Sequence, residues 1–317
     1  MSGYLHNSLF SEPWWLDAVA GPGNWGEAIV ESGGKVQARL PYAIRKRHGR
    51  IILCCPPLTQ HLGPWFTEAN AKYATALARQ KDLVGELINQ LPPHHMFHQC
   101  FHHSVTNWLP WYWQGFEQTT RYTYVLDDLR NEQALWEGMQ SNIRGDIRKA
   151  LNRFDLIIRT DLGPQVLLET CQKTFQRQGI AGLPEQIVMR LYDACSQHHA
   201  GKAFFAVDDQ NRVHAAVYIV WDDCAAFYLL GGGDPELRNS GAHSLLMWEA
   251  IKFASTVTRS FDFEGSMIEP VERFFRAFGA RQVPYHQILR YNSRLLKAGI
   301  LVKESIKVIG AIVQRQL

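Results

Sequence analysis

Two carboxylates two residues apart, Asp262 and Glu264, alternate with Phe261 and Phe263 in the stretch Arg259 to Gly265. Such alternation puts the phenylalanines on one face of a strand and both acids on the other, half in the core and half in a polar cleft. A partly desolvated carboxylate can take up a proton during a reaction, and two close carboxylates push one pKa upward. Glu264 is the candidate general base, and Asp262 is placed to orient the reacting group. The alternative is that one or both cap neighbouring elements or pair with arginine. Tyr228 and Tyr285 end or begin strands near the same place, and a tyrosine hydroxyl can protonate a leaving oxygen or thiolate. Filling the core with the hydroxyl at its rim is the other reading of both.

Other residue types make weaker sites. Arg144, Arg148 and Lys149 fall within about one and a half helical turns and could meet phosphates, or form a solvated helix face. His94, His95, His98, His102 and His103 invite a metal, and strand alternation aligns His98, Cys100 and His102. Without a carboxylate or CxxC at defined spacing, packing is expected there and no metal. Gly231-Gly232-Gly233 lacks a GxGxxG context, and Ser266 lies in no GxSxG, so neither a nucleotide loop nor a hydrolase triad is supported.

The elements that must position these groups read as strand, glycine turn, helix, strand, helix. Ala225 to Leu230 is an apolar run stopped by the three glycines. Ser240 is the expected N-cap of a helix carrying Leu245, Leu246, Trp248, Ile251 and Phe253 at helical spacing. After the Asp262–Glu264 strand, Val271, Phe274, Phe275 and Phe278 form another helix face, closed by Gly279. This order sets a helix N-terminus at the carboxyl end of the first strand, where an anionic group could dock.

Upstream, Leu9 to Ala20 predicts a helix capped by Ser11. Glu27–Glu31 and Lys35–Lys46 predict a hairpin about Gly33-Gly34. Ile51–Cys55, the breaker-rich loop Pro56–Phe66, a helix Asn70–Leu91 and a strand His94–His103 repeat the order of Ala225 to Gly265. The chain therefore reads as two similar lobes. Arg121–Asp127 opens the second with a strand, and Asn131–Phe154 follows as one helix. A further strand (Leu156–Arg159), two helices and the hairpin Ala203–Trp221 lead into the glycine turn. Tyr285–Tyr291 is the last strand. The basic tail Arg294 to Leu317 predicts an amphipathic helix, either docked on the first lobe or lying on a membrane surface.

Bulk properties bound the function. A chain of 317 residues suits about two domains, and 46% apolar with 20% charged residues is a soluble globular composition. A net charge of +3 is too small to argue for nucleic acid. Six scattered cysteines suit free thiols in a reducing compartment. The first residues, MSGYLHNSLFSEPWW, hold no basic region followed by an apolar run, and no segment approaches the ~20 apolar residues of a membrane span. A cytoplasmic protein without integral membrane association is expected.

In order along the chain, Tyr228-Leu-Leu-Gly-Gly, Leu246-Met-Trp-Glu-Ala-Ile-Lys-Phe-Ala254, Phe261-Asp-Phe-Glu-Gly-Ser266 and Phe274-Phe-Arg-Ala-Phe-Gly279 resemble the GNAT acyltransferases, and within them the FemABX peptidyltransferases. The resemblance covers the last half of the chain well and the first half weakly. It implies an α+β fold of tandem GNAT-like lobes, with mixed, mostly antiparallel sheets flanked by helices. The lobes would span residues 1–120 and 121–293, with 294–317 returning to the first. It implies an N-acyltransferase joining an activated acyl or aminoacyl group to a small amine acceptor, a cell-envelope precursor or amino sugar. The acyl donor would be acyl-CoA or aminoacyl-tRNA, with no metal. A tRNA partner is possible through Arg144, Arg148 and Lys149, since Arg144-Gly-Asp-Ile-Arg-Lys-Ala150 is similar to a basic FemABX stretch. The donor would be held by Leu230, Gly231, Arg238, Gly241 and Ala242, although His243 stands where the GNAT turn expects a small residue. Glu264 would then deprotonate the amine and Tyr228 protonate the leaving group. Arg276, where FemABX proteins have a lysine, would stabilise phosphate or an oxyanion. Trp248 and Tyr285 would contact substrate. A non-catalytic module binding a nucleotide-sugar or partner is the rival reading.

Overall fold

The alternating segments become strands of a single mixed sheet in the computed structural model, which describes residues 8–68, 70–179, 182–265, 267–293 and 297. The strands are β1 (Trp25–Ser32), β2 (Lys35–Arg47), β3 (Arg50–Cys54), β4 (Trp65–Phe66), β5 (Met96–Cys100), β6 (Glu117–Leu126), β7 (Ile157–Arg159), β8 (Gly201–Val207), β9 (Val213–Trp221), β10 (Ala225–Gly233), β11 (Ser260–Asp262) and β12 (Arg281–Tyr291). The helices are α1 (Pro13–Ala20), α2 (Tyr73–Asn89), α3 (Leu109–Trp113), α4 (Glu132–Gly138), α5 (Ser141–Asn152), α6 (Gly163–Gln178), α7 (Glu185–Gln197), α8 (Ala242–Ala254) and α9 (Glu269–Arg276).

The sheet runs β1-β2-β3-β5-β12-β6-β11-β10-β9-β8-β7, with β4 beside β2. β12 pairs with β5 on one side and β6 on the other. The plural sheets expected from sequence are thus one continuous sheet, because the last strand returns to fill the place where the two lobes meet. Pairing is antiparallel except for β3 with β5 and β10 with β11. Each parallel pair is joined by a helix, α2 in the first case and α8 in the second, as a parallel connection requires.

Three apolar clusters hold the layers. One packs α5, α8 and Phe275 of α9 against β6, β9 and β11. A second packs α1, α6 and α7 on the opposite face of β8, β9 and β10. The third joins α2 and α3 to β1, β2, β3 and β5. Helix α8 buries nine of its thirteen residues, Trp248 among them, and a helix apolar on most sides belongs inside.

Three sequence expectations change. The helix expected over Asn131–Phe154 breaks between α4 and α5. Met139 and Gln140 are extended, and the Gln140 amide donates to the Ala277 carbonyl (2.8 Å). The Arg144 guanidinium donates to the carbonyls of Trp136, Glu137 and Met139 at the end of α4. Gly231–Gly233 do not stop β10 but continue it. An added Cβ at Gly232 would lie 2.6 Å from the Thr170 carbonyl oxygen, so glycine admits α6 against the strand. The Gly241 residue, with φ +81°, caps α8 in place of Ser240. The expected tail helix lies outside the described residues apart from Lys297, whose ammonium pairs with Glu117 at 2.5 Å.

Candidate functional site

The parallel register of β10 and β11 ends at Phe227 opposite Asp262. From Tyr228 onward β10 keeps β9 as a partner but has no described strand on its other side. A bulge between Tyr228 and Leu230 turns the strand at that point. The two strands therefore part at their carboxyl ends, and the gap opens between Tyr228 and Glu264.

The Asp262 carboxyl is 3% exposed. Its Oδ1 accepts the Thr123 hydroxyl and the Glu264 amide, the latter at 2.8 Å. Burial raises its pKa to about 6, against the lowering effect of those two hydrogen bonds. Glu264 lies past the end of β11, not on its polar face, with φ +58°. The left-handed turn is held by Gly265, whose Cα faces the Tyr122 carbonyl of β6. Glu264 Oε1 is buried without a hydrogen-bond partner. Burial first, and the Asp262 charge second, push its pKa well above the usual range for a carboxylate. Burial raises both carboxyls, so the pair takes up protons more readily than free carboxylates do.

Tyr228 is half-buried, its hydroxyl 3.2 Å from His243 Nε2 and its ring on Phe275 at 5.7 Å. The hydroxyl sits over Gly231, where a Cβ would approach it to 2.1 Å. Burial pushes the phenol pKa up and keeps the hydroxyl protonated. His243 is pulled down to about 4 by burial, so its ring is neutral. A neutral imidazole beside a phenol forms a proton donor pair at one side of the gap; the carboxylates form the acceptor on the other. Tyr285, on β12, lines a cavity with Asp262 and Thr123, and its pKa is raised to about 12, chiefly by burial.

Several expected site residues lie elsewhere. Trp248 is 5% exposed inside the α8 core, its ring tilted against Trp136 at 5.6 Å. Arg144 is spent on the α4 carbonyls, Arg148 lies over the Trp136 ring (5.5 Å), and Lys149 pairs with Asp146 at 2.8 Å. All three members of the basic face therefore have a partner within the protein. Arg276 pairs with Glu272 one turn back at 2.8 Å, and half its side chain is in solvent. It is a surface ion pair, not a partner of the carboxylates. Replacing it with alanine should leave the denaturant unfolding midpoint nearly unchanged and acyl transfer within a few-fold of wild type, measured by denaturant unfolding and initial rates.

The turn expected to hold donor phosphates packs against α5. Ser240, Gly241 and Ala242 are buried, the Ala242 amide donates to Ser240 Oγ (3.4 Å), and an added Cβ at Gly241 would lie 2.2 Å from the Asp146 carbonyl oxygen of α5. Glycine at 241 is therefore what admits the α5 backbone against this turn. Arg238 is exposed on the preceding turn, while Leu230 packs into the core cluster beneath α6. Sequence reasoning passed over His243 as a functional group, treating it as an obstacle, and missed Thr123, Gln60 and His61. The adjacent Tyr-His contact has no spacing signature, since fifteen residues separate the partners. Among the described residues no group of three or more His, Cys, Asp or Glu is placed to hold a metal.

A mixed sheet whose parallel pair parts beside a carboxylate is the geometry of one protein class, and the sequence agrees. Residues 138–275 match the family model described as an acetyltransferase (GNAT) domain. The chain carries a GNAT-type acetyltransferase domain and is by that domain an acyltransferase. Among solved structures it is similar to FemX, with TM-score 0.67 and 13% identity over 89% of this chain and 93% of that one. It is also similar to a tandem GNAT protein from the clavulanic acid biosynthesis pathway, with TM-score 0.53 and 11% identity over 88% and 94%. A conserved protein of unknown function from Bacteroides thetaiotaomicron has TM-score 0.54 and 10% identity over 89% and 90%. These likenesses establish the tandem GNAT fold. No curated protein matches the chain. No helix among the described residues is long and apolar enough to cross a membrane.

Proposed function

We propose that the protein is an N-acyltransferase forming an amide at the gap between β10 and β11. The amine is that of a small acceptor, a cell-envelope precursor or amino sugar. The observation that carries the reading is the buried Asp262–Glu264 pair at the mouth of that gap, facing the Tyr228–His243 pair. The amine nitrogen bonds to the acyl carbon of the donor, and its proton passes to the carboxylate pair. The bond from the acyl carbon to the leaving oxygen or sulfur breaks, and Tyr228 supplies that atom with a proton. Tyr228, 3.2 Å from His243 Nε2, regains a proton from solvent.

The donor is acyl-CoA or an aminoacyl ester of the tRNA type, each presenting an activated acyl carbon. In this proposal the chain works as two lobes, residues 1–120 and 121–293, with the acceptor entering between them and a cytoplasmic site of action. The test pairs aminoacyl-tRNA and acyl-CoA donors with a panel of primary amines and reads amide formation by mass spectrometry. Amide from at least one pair, reduced ~10²-fold or more in Glu264→Gln, is expected. No amide from any pair, or full activity in Glu264→Gln, overturns the assignment.

A further inference from the structure

The end of the sheet remote from the catalytic gap is strongly basic. The β2–β3 turn carries Arg45, Lys46, Arg47 and Arg50, three of them exposed and Arg50 half-buried. No acidic residue occurs in the chain between Glu31 and Glu68, and among the described residues none of the four cations is in an ion pair. Register sets Arg47 opposite Arg50 and Arg45 opposite Ile52, so the three arginines share one face of the hairpin. Like charges directly opposite one another destabilise a strand pair, a cost that an anionic partner relieves.

Neighbouring elements bring apolar groups to the same end. The Ile51 amide donates to His95 Nδ1 (3.1 Å), and the Asn292 amide donates to the His95 carbonyl (2.9 Å), which ties the end of β12 to the hairpin. Arg290 of β12 then donates to the Gln114 carbonyl just past α3 (3.2 Å). On α3, Leu109, Tyr112 and Trp113 stand at i, i+3 and i+4, one outward face, and are 50%, 58% and 60% exposed. Pro110 and Trp111 anchor that helix in the core. Lys297, the last described residue, pairs with Glu117 at the start of β6, beside α3. The sequence beyond it carries Lys303, Lys307 and Arg315 against Glu304, interspersed with isoleucine and valine.

We infer that this end of the first lobe docks on an anionic phospholipid surface. Tryptophan and tyrosine settle at the headgroup level of a bilayer, and each lysine or arginine near an anionic leaflet strengthens attachment. A nucleic acid would satisfy the arginines equally well, but the exposed leucine of α3 and the isoleucines and valines of the adjoining sequence suit lipid. β6 leads from this end, at Glu117, to Val125, which pairs with Asp262. Eight steps of a strand put the catalytic gap about 26 Å from the docked end, where it stays open to soluble donor and acceptor. Attachment of this kind is peripheral and independent of the acyl-transfer reading.

The test sediments the full chain with vesicles of phosphatidylcholine alone or with about one-third phosphatidylglycerol. Partitioning onto the anionic vesicles should be about tenfold stronger or more and should weaken as salt is raised. Arg47→Glu combined with Arg50→Glu should reduce it about tenfold or more. Tyr112→Ser combined with Trp113→Ser, which keeps every charge, should reduce it about fivefold or more. Thermal unfolding should match wild type in both double variants, since these side chains lie at the surface. Brominated lipid should quench wild-type tryptophan fluorescence more than that of Trp113→Phe. Equal partitioning onto the two kinds of vesicle, or unchanged partitioning in either double variant, overturns the inference. Retention on RNA that depends on the arginines but not on Tyr112 and Trp113, without vesicle binding, would overturn it too and assign the surface to nucleic acid.

Discussion

Asp262→Asn should lower amide formation by ~10²–10⁴-fold, the range for a positioned acid–base group, and should erase the acid limb of the pH–rate profile. The carboxyl is buried, receives the Thr123 hydroxyl and the Glu264 amide on one oxygen, and has a pKa raised to about 6. Wild-type kcat/KM should therefore rise with pH through a limb near 6 and then level. The groups that face Asp262 are Thr123, Glu264, Tyr285, His61 and His103. Burial pulls both histidines down, His61 to about 3, so His61 carries no charge across that limb. Asparagine can still accept both hydrogen bonds at Oδ1, so the fold should persist. The stability effect runs the other way from the activity effect. A folded pKa raised above the unfolded value means the folded state binds the proton more tightly, so its stability is greatest at low pH and is lost as pH rises through about 6. The asparagine variant carries no such charge. It should match wild type near pH 4 and exceed it at pH 8 in denaturant unfolding, the mark of a residue kept for chemistry at a cost in stability. Equal pH–rate limbs in both proteins would remove Asp262 from the reaction.

Gly265→Ala should be the most damaging small substitution near the gap, costing about 3 kcal/mol or more of stability and most of the activity. Gly265 has φ +57°, and an added Cβ would sit 2.1 Å from the Tyr122 carbonyl oxygen and 2.6 Å from Thr123 Cα. Both obstacles are backbone of β6, which is fixed between β11 and β12, so neither side can yield cheaply. Displacing residue 265 also moves Glu264, whose amide holds Asp262. Gly33→Ala supplies the control: its φ is +59°, but nothing lies within 4 Å of the added Cβ. It should cost only the strain of the left-handed backbone, about 1 kcal/mol, and leave activity intact. Equal losses in the two variants would show that close packing at Gly265 is unimportant.

The sequence alone revealed the chemistry-bearing segments because they are local. The alternation Phe261-Asp262-Phe263-Glu264 places phenylalanines in the core, where both are fully buried, and marks the acids as the exceptions. The order strand–helix–strand, read twice, corresponds to two parallel pairs, each with its crossover helix. What was not legible depends on distant contacts. Nothing local in Asn131–Phe154 announces a break, since the break is made by the Ala277 carbonyl and by an arginine turned back on the end of α4. The glycine triplet reads as a turn by conformational freedom, yet it serves as strand because α6 needs the space.

Residue type and periodicity thus determined that a pair of acids lies at the end of a strand beside a glycine-rich neighbour, and which faces are apolar. Only the tertiary structure decided which charges are spent and which are stranded. Arg144 and Arg276, conspicuous in the sequence, are neutralised by carbonyls and by Glu272. Gln60 and His61, inconspicuous there, are carried beside Asp262 by a loop from some two hundred residues earlier in the chain. The physical reason is that helical and strand periodicity act over a few residues. Desolvation, which sets the proton affinity of Asp262 and Glu264, depends on everything packed around them.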